Sequence, residues 1–256
     1  MKKWNLVDQT PTPDGRSIEL REHDGVYEIH VGSFDLMSTR RHASEDKIAE
    51  LACADLKQKR NARVLIGGLG MGFTLKATLE AVARDATVVV AEIMPAVIAW
   101  NRNPAYPLAG LAMQDRRVTI VEKDVAQVIR SSQGQFDAII LDVDNGPAAL
   151  TTDGNARLYT EEGLRRTRAA LTPTGCAAFW AAGPDAPFEK LFRRAGFDVE
   201  TVRCRAHVNS GGWHYLFMGR RSTATGRPVA GRTITQKPAS GRQRIDVLAH
   251  HPAQSG

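Results

Sequence analysis

"VLIGGLGMGFTLKA", Val64 to Ala77, decides the fold. Val64, Leu65 and Ile66 form a short apolar run of the kind buried on both faces of a parallel sheet. Glycines interrupt it, and a helix-like apolar stretch resumes at Phe73. A strand, a glycine turn and a helix open a doubly wound sheet, in which ligands sit beyond the carboxyl ends of the strands. The glycines do not make a dinucleotide fingerprint, because Phe73 stands where G-x-G-x-x-G requires its last glycine. No G-K-[ST] follows, so the turn is not a P-loop. The spacing is G-x-G-x-G, on Gly68, Gly70 and Gly72. Such a loop lets a ligand lie against bare backbone with no pyrophosphate to cradle. S-adenosylmethionine has that shape; a tight turn without a ligand is the alternative.

The pattern continues on the C-terminal side. "ATVVVAEI", "RVTIVEKD", "FDAIILDV" and "GCAAFWAA" read as further strands. The intervening helices are "PAVIAWNRN", "VAQVIRSS" and "NARLYTEEGLRRTRAAL", and "PFEKLFRRAG" follows the last of these strands. "DVETVRCRAHV" and "WHYLFMGRR" close the series without a helix between them, so one of the pair runs antiparallel. On the N-terminal side, Ile18, Leu20, Val26, Ile29 and Val31 mark short strands around a hairpin turn at Asp24-Gly25. A helix capped by Ser44 is expected over 44–59. The fold class is α/β, Rossmann-like: a mostly parallel sheet with helices on both faces, an antiparallel last strand and a small N-terminal β domain. The expected divisions are 1–58, small β domain with linking helix; 59–219, cofactor-binding domain; and 220–256, a basic tail.

Of the 256 residues, 43% are hydrophobic, enough for one domain and a smaller appendage. No run of about 18 apolar residues occurs, so no membrane span is expected. The N-terminus lacks the apolar core of a signal peptide. Cys53, Cys176 and Cys204 are far apart and odd in number, which reads as reduced thiols and a cytoplasmic setting. The net charge of +6 lies wholly beyond residue 219, where seven cations face one anion, Asp246. That tail is rich in Gly, Pro, Ser and Thr and reads as disordered, so the charge is no sign of a nucleic-acid-binding body. The histidines show no metal-ligand spacing.

Three acids fall at successive strand ends: Glu92 after "VVVA", Asp124 in "VEKDVA" and Asp142 in "IILDVDNGP". A carboxylate about 20 residues past the glycine loop can accept both ribose hydroxyls of an adenosine. Asp124 is placed to accept from the adenine amino group. Asp142, with Asp144 beside it, is the candidate general base. His42 and Glu45 are candidates for the entrance, and Trp180 for the acceptor pocket or the core.

Together, "VLIGGLGMGFTL", "VVVAE", "VEKDVA", "FDAIILDVDNGP" and "ARLYTEEGLRRTRAALTPTG" resemble the spermidine synthase family over about residues 16 to 219. Its members are polyamine aminopropyltransferases with the class I S-adenosylmethionine-dependent methyltransferase fold, often dimeric. The resemblance implies that Glu92 binds ribose, that Asp124 binds adenine, and that Gly68, Gly70, Met71 and Gly72 line the cofactor. It makes Asp142 the first acid of a D-x-x-D stretch whose second acid falls on Asn145. Tyr159 matches an aromatic residue on the substrate side. Met71 replaces the loop acid that anchors the amine of decarboxylated S-adenosylmethionine, and Met37 replaces a glutamine. The implied function is transfer of an aminopropyl-type group to a small amine from S-adenosylmethionine or its decarboxylated form. A small-molecule methyltransferase and a non-catalytic adenosyl-ligand binder are the alternatives. Asn145-Gly146-Pro147-Ala148 offers no aromatic platform for a flipped base.

Overall fold

The structure, a computed structural model, describes residues 4–12, 15–32, 34–143, 153–206 and 212–222. It begins with four strands, β1 (Asn5–Pro11), β2 (Ser17–His23), β3 (Val26–Val31) and β4 (Phe34–Ser38), each antiparallel to the next. The Asp24-Gly25 turn takes positive φ at both residues, 48° and 79°, as a tight hairpin with right-handed strand twist requires. Ile18, Leu20, Ile29 and Val31 are buried on one face of this sheet. β1 shows no apolar alternation and is mostly exposed, and the sequence pattern did not reveal it.

Helix α1 (Ala43–Ala52) follows, shorter than the 44–59 expected. His42, not Ser44, holds the N-cap position. Beyond the helix the chain turns to set Lys59 Nζ 2.7 Å from the Asp137 carboxylate. The main body then runs β5 (Arg63–Gly67), α2 (Phe73–Ala81), β6 (Thr87–Glu92), α3 (Pro95–Arg102), α4 (Gly110–Met113), β7 (Val118–Glu122), α5 (Val125–Arg130) and β8 (Phe136–Leu141). After residue 152 come a 3₁₀ helix (Asp153–Tyr159), α6 (Glu161–Ala170), β9 (Leu171–Ala181), α7 (Ala186–Arg194), β10 (Phe197–Arg205) and β11 (Trp213–Arg221).

The seven strands are ordered β10-β11-β9-β8-β5-β6-β7. β5 to β9 pair in parallel, and β11 lies antiparallel between β9 and β10. Every residue of β8 is buried, as a central strand covered on both faces demands. One face packs against α1, α2, α3 and the N-terminal sheet through Ile48, Leu75, Ile140 and Trp180. The other packs against α5, α6 and α7 through Leu141, Phe179, Phe188 and Phe192. α1 therefore belongs to the body, although the sequence assigned it to the small domain. Arg220 and Arg221, assigned to the tail, end β11; Arg220 pairs with Asp55 at 3.1 Å and Arg221 donates to the Leu171 carbonyl at 2.8 Å. Among the described residues no helix is long and apolar enough to cross a membrane.

Candidate active site

β5 delivers the glycine turn to the middle of the sheet. Gly68, at φ +87°, passes so close to β8 that a Cβ there would lie 2.4 Å from the Asp142 carbonyl oxygen. Both the conformation and the approach need glycine. Gly70 is different: a Cβ there would meet the Met37 thioether, its sulfur 2.7 Å away. The bare backbone at Gly70 is thus covered by a side chain from β4. Gly72 caps α2 and abuts Ala109. Met71 is 1% exposed and packs within the apolar core. Its side chain serves packing, which corrects the expectation that it lines the cofactor.

Glu92 ends β6 and is buried. Its carboxylate accepts from Leu69 N and Met94 N, both at 2.8 Å. Burial raises its pKa, and the amides of Leu69, Met94, Ile93 and Gly70 pull against that rise. These amides fix the carboxylate beside the glycine turn, where its two oxygens offer about four acceptor sites in all. Asn101, which the sequence reading did not single out, holds the loop from the other side. Its fully buried amide donates to Gly70 O at 2.7 Å and Val97 O at 2.8 Å and accepts from Ala109 N at 3.0 Å.

Asp124 caps α5, accepting from Ala126 N at 2.8 Å, and its other oxygen pairs with Arg157. Val125 beside it touches the Gly67 position, so Asp124 flanks the loop. Glu92, Asp124 and Asp142 therefore do converge at one end of the sheet. Tyr159 does not join them. Its ring packs against Phe179 and Phe188, 5.8 and 5.6 Å between centroids, in the core of the opposite face. This corrects its assignment to the substrate. Asp144 and Asn145 lie outside the described residues.

Asp142 follows β8. Its carboxylate accepts from Thr74 Oγ1 at 2.9 Å, and burial pushes its pKa up to about 6. Glu45, in the first turn of α1, is 8% exposed. Burial first and the Asp142 charge second raise it to about 8. Ser44 Oγ donates to Glu45 at 2.5 Å and lies 2.8 Å from His214 Nδ1 on β11. One hydroxyl proton cannot serve both neighbours, so one of them donates to Ser44. Burial, aided by Arg41, lowers the His214 pKa. The Trp180 ring meets His214 edge-on at 4.6 Å, and its buried Nε1 has no hydrogen-bond partner among the described residues. Sequence reading placed Glu45 only at the entrance and missed Thr74, Ser44 and His214. The one available signal was that His214 shares the inward alternation of Leu216 and Met218. His42 stacks on Phe73 with ring centroids 4.0 Å apart and bonds Asp46 at 2.7 Å. Glu28, His30 and Asp35 bring possible metal-ligand atoms within 4.8 Å of one another, but Asp35 is paired with Arg41 and His30 with Glu28.

No family model matches the chain. A polyamine aminopropyltransferase of Saccharolobus solfataricus is 29% identical over 126 residues, which cover 49% of this chain and 40% of that protein. The enzyme of Saccharolobus islandicus strain L.S.2.15 matches to the same extent. The match thus spans less than half the length of these relatives. The spermidine synthase of Thermotoga maritima superposes with a TM-score of 0.68 at 20% identity, covering 85% of this chain and 73% of that one. A spermidine synthase in complex with the transition-state analogue AdoDATO gives 0.67 at 18% identity, covering 85% and 72%. The chain thus has the fold of these spermidine synthases, and a 126-residue stretch of it is similar to the polyamine aminopropyltransferases.

Proposed function

We propose that the chain transfers an aminopropyl-type group from an adenosyl sulfonium, S-adenosylmethionine or its decarboxylated form, to a small amine. One observation carries the reading: at the carboxyl end of β8, Asp142 meets the glycine turn with its backbone and holds a half-buried carboxyl against Thr74, just after that turn. The relatives named polyamine aminopropyltransferase support it. The residues present fit an adenosyl group. Glu92 is held beside the glycine turn, where ribose hydroxyls would compete with its amide partners, and Asp124, once Arg157 yields, has an oxygen for the adenine amino group. When bound, the sulfonium supplies an already activated carbon. The protein's part is to position the amine in line and to take its proton, and an acid with a pKa near 6 is suited to that at neutral pH.

The experiment is to incubate the full chain with each donor form and a panel of amines, and to read product masses. A gain of an aminopropyl group on one amine is the expected outcome. Methyl gain would assign a methyltransferase, and no product with tight adenosyl binding would assign a binder.

A further inference from the structure

Two carboxylic acids, the buried Glu45 and the half-buried Asp142, lie within electrostatic reach of one another, and neither has an ion pair among the described residues. Burying an acid without a cation is costly, and setting a second acid beside it is more so. A core built only for stability would not hold them. Beside them lies the buried Trp180 indole N–H, which has no hydrogen-bond partner among the described residues. Register places these groups together. Asp142 follows Leu141, which pairs with Phe179, so Asp142 and Trp180 are neighbours on adjacent strands. The chain after Asp142 has Asn145 where a second acid is expected. The first turn of α1 brings one to the same face from elsewhere in the sequence.

We propose that Glu45 and Asp142 form a two-carboxylate seat for the primary ammonium of the acceptor, with Glu45 taking the part of the acid missing at Asn145. This rests on the amine-transfer reading above. The proton count follows from the two groups. Near pH 7, with a pKa of about 8 for Glu45 and about 6 for Asp142, the pair holds one proton, on Glu45. An entering ammonium expels that proton to solvent, and the net charge of the seat is unchanged. Asp142 remains ionised to take the proton that the ammonium gives up on attack. Other groups facing Glu45 do not supply this titration. Cys204, on β10, is raised to about 11, chiefly by burial, and stays neutral. His214 has its pKa lowered, Arg41 acting on it from beyond β4, so it is neutral too. Asp46, on the same helix, is held by His42.

The test is calorimetric titration of the full chain with putrescine, in two buffers of different ionisation heat. The wild type should release close to one proton per amine, and its affinity should rise by up to about tenfold per pH unit below pH ~8 and level off above it. Glu45→Gln, which keeps the size and the Ser44 contact, should abolish the release near neutrality and weaken putrescine by about ten- to a hundredfold. It should leave the affinity for 5′-methylthioadenosine unchanged, which reports an intact pocket. A wild-type affinity independent of pH overturns the seat, whether or not the variant folds. Aminopropyl transfer unaffected by Glu45→Gln keeps the function and overturns the seat. Amine binding with proton release, but no transfer to any amine, supports the seat and overturns the function.

Discussion

At the scale of single residues, Glu92 has two jobs that a substitution would separate. Its carboxylate holds Leu69 N and Met94 N and is the proposed ribose acceptor. Glu92→Ala strands two amides, each costing about 1–3 kcal/mol if it remains buried. Denaturant melts should show that loss, and calorimetry should show adenosyl affinity falling by about ten- to a hundredfold. Equal affinity in a variant that melts normally would remove Glu92 from the site. Met71 separates differently. Read by resemblance, Met71→Asp would restore an anchor for the donor's amine; in the structure it would put an unpaired charge into a core position that is 1% exposed. The expected result is destabilisation of several kcal/mol, seen as a large fall in the denaturation midpoint. A Met71→Asp protein as stable as wild type, with restored preference for the decarboxylated donor, would show that the loop can turn that side chain outward.

Elements were legible where burial imposes a pattern. The apolar runs of β5, β6, β8 and β9 could be read directly because a parallel strand covered on both faces tolerates little else. β1 could not: "NLVDQTP" has neither alternation nor burial, and its place is set by pairing with β2. The stretch from Asn155 to Leu171 reads as one helix but folds as two. Thr160 ends the 3₁₀ turn, donating to Arg157 O at 2.8 Å, and caps α6 by accepting from Gly163 N at 3.0 Å. Gly163 is required because a Cβ there would stand 2.0 Å from Arg157 O. Thr160→Ala should cost about 1 kcal/mol; Gly163→Ala should cost more, since backbone must move. Urea denaturation of the pair checks the order, and a Gly163→Ala variant as stable as wild type would mean that the junction yields easily. The acids of the site were legible because strand ends advertise themselves. The Ser44–His214 contact was not, because it joins residues 170 apart and no local pattern encodes it.

For the whole molecule, the two sheets are joined at the site. Trp100 Nε1 donates to Asp8 at 2.6 Å, and Met37 covers Gly70. Glu45 and Asp142 set a pH dependence of stability. Glu45 rises from 4.5 to about 8 and Asp142 from 3.8 to about 6, so the native state binds more protons than the unfolded chain between those values. Stability is therefore greatest at the acid side of this window and falls as pH rises through it, by at most about 1.4 kcal/mol per pH unit for each proton. Urea melts from pH ~5 to ~8 should show the decline, with Glu45→Gln flattening its upper half; stability rising over that range would contradict the burial of the acids. The order of the strands adds a consequence for synthesis. β11 is made last among the described strands yet lies between β9 and β10. As the nascent polypeptide leaves the ribosome, β9 keeps an open edge until translation passes residue 221, and His214 reaches Ser44 only then. A chain arrested after residue 206 should present that unpaired edge, bind hydrophobic dyes and associate with itself, whereas release of the chain through Arg221 closes the sheet and completes the pocket in one step.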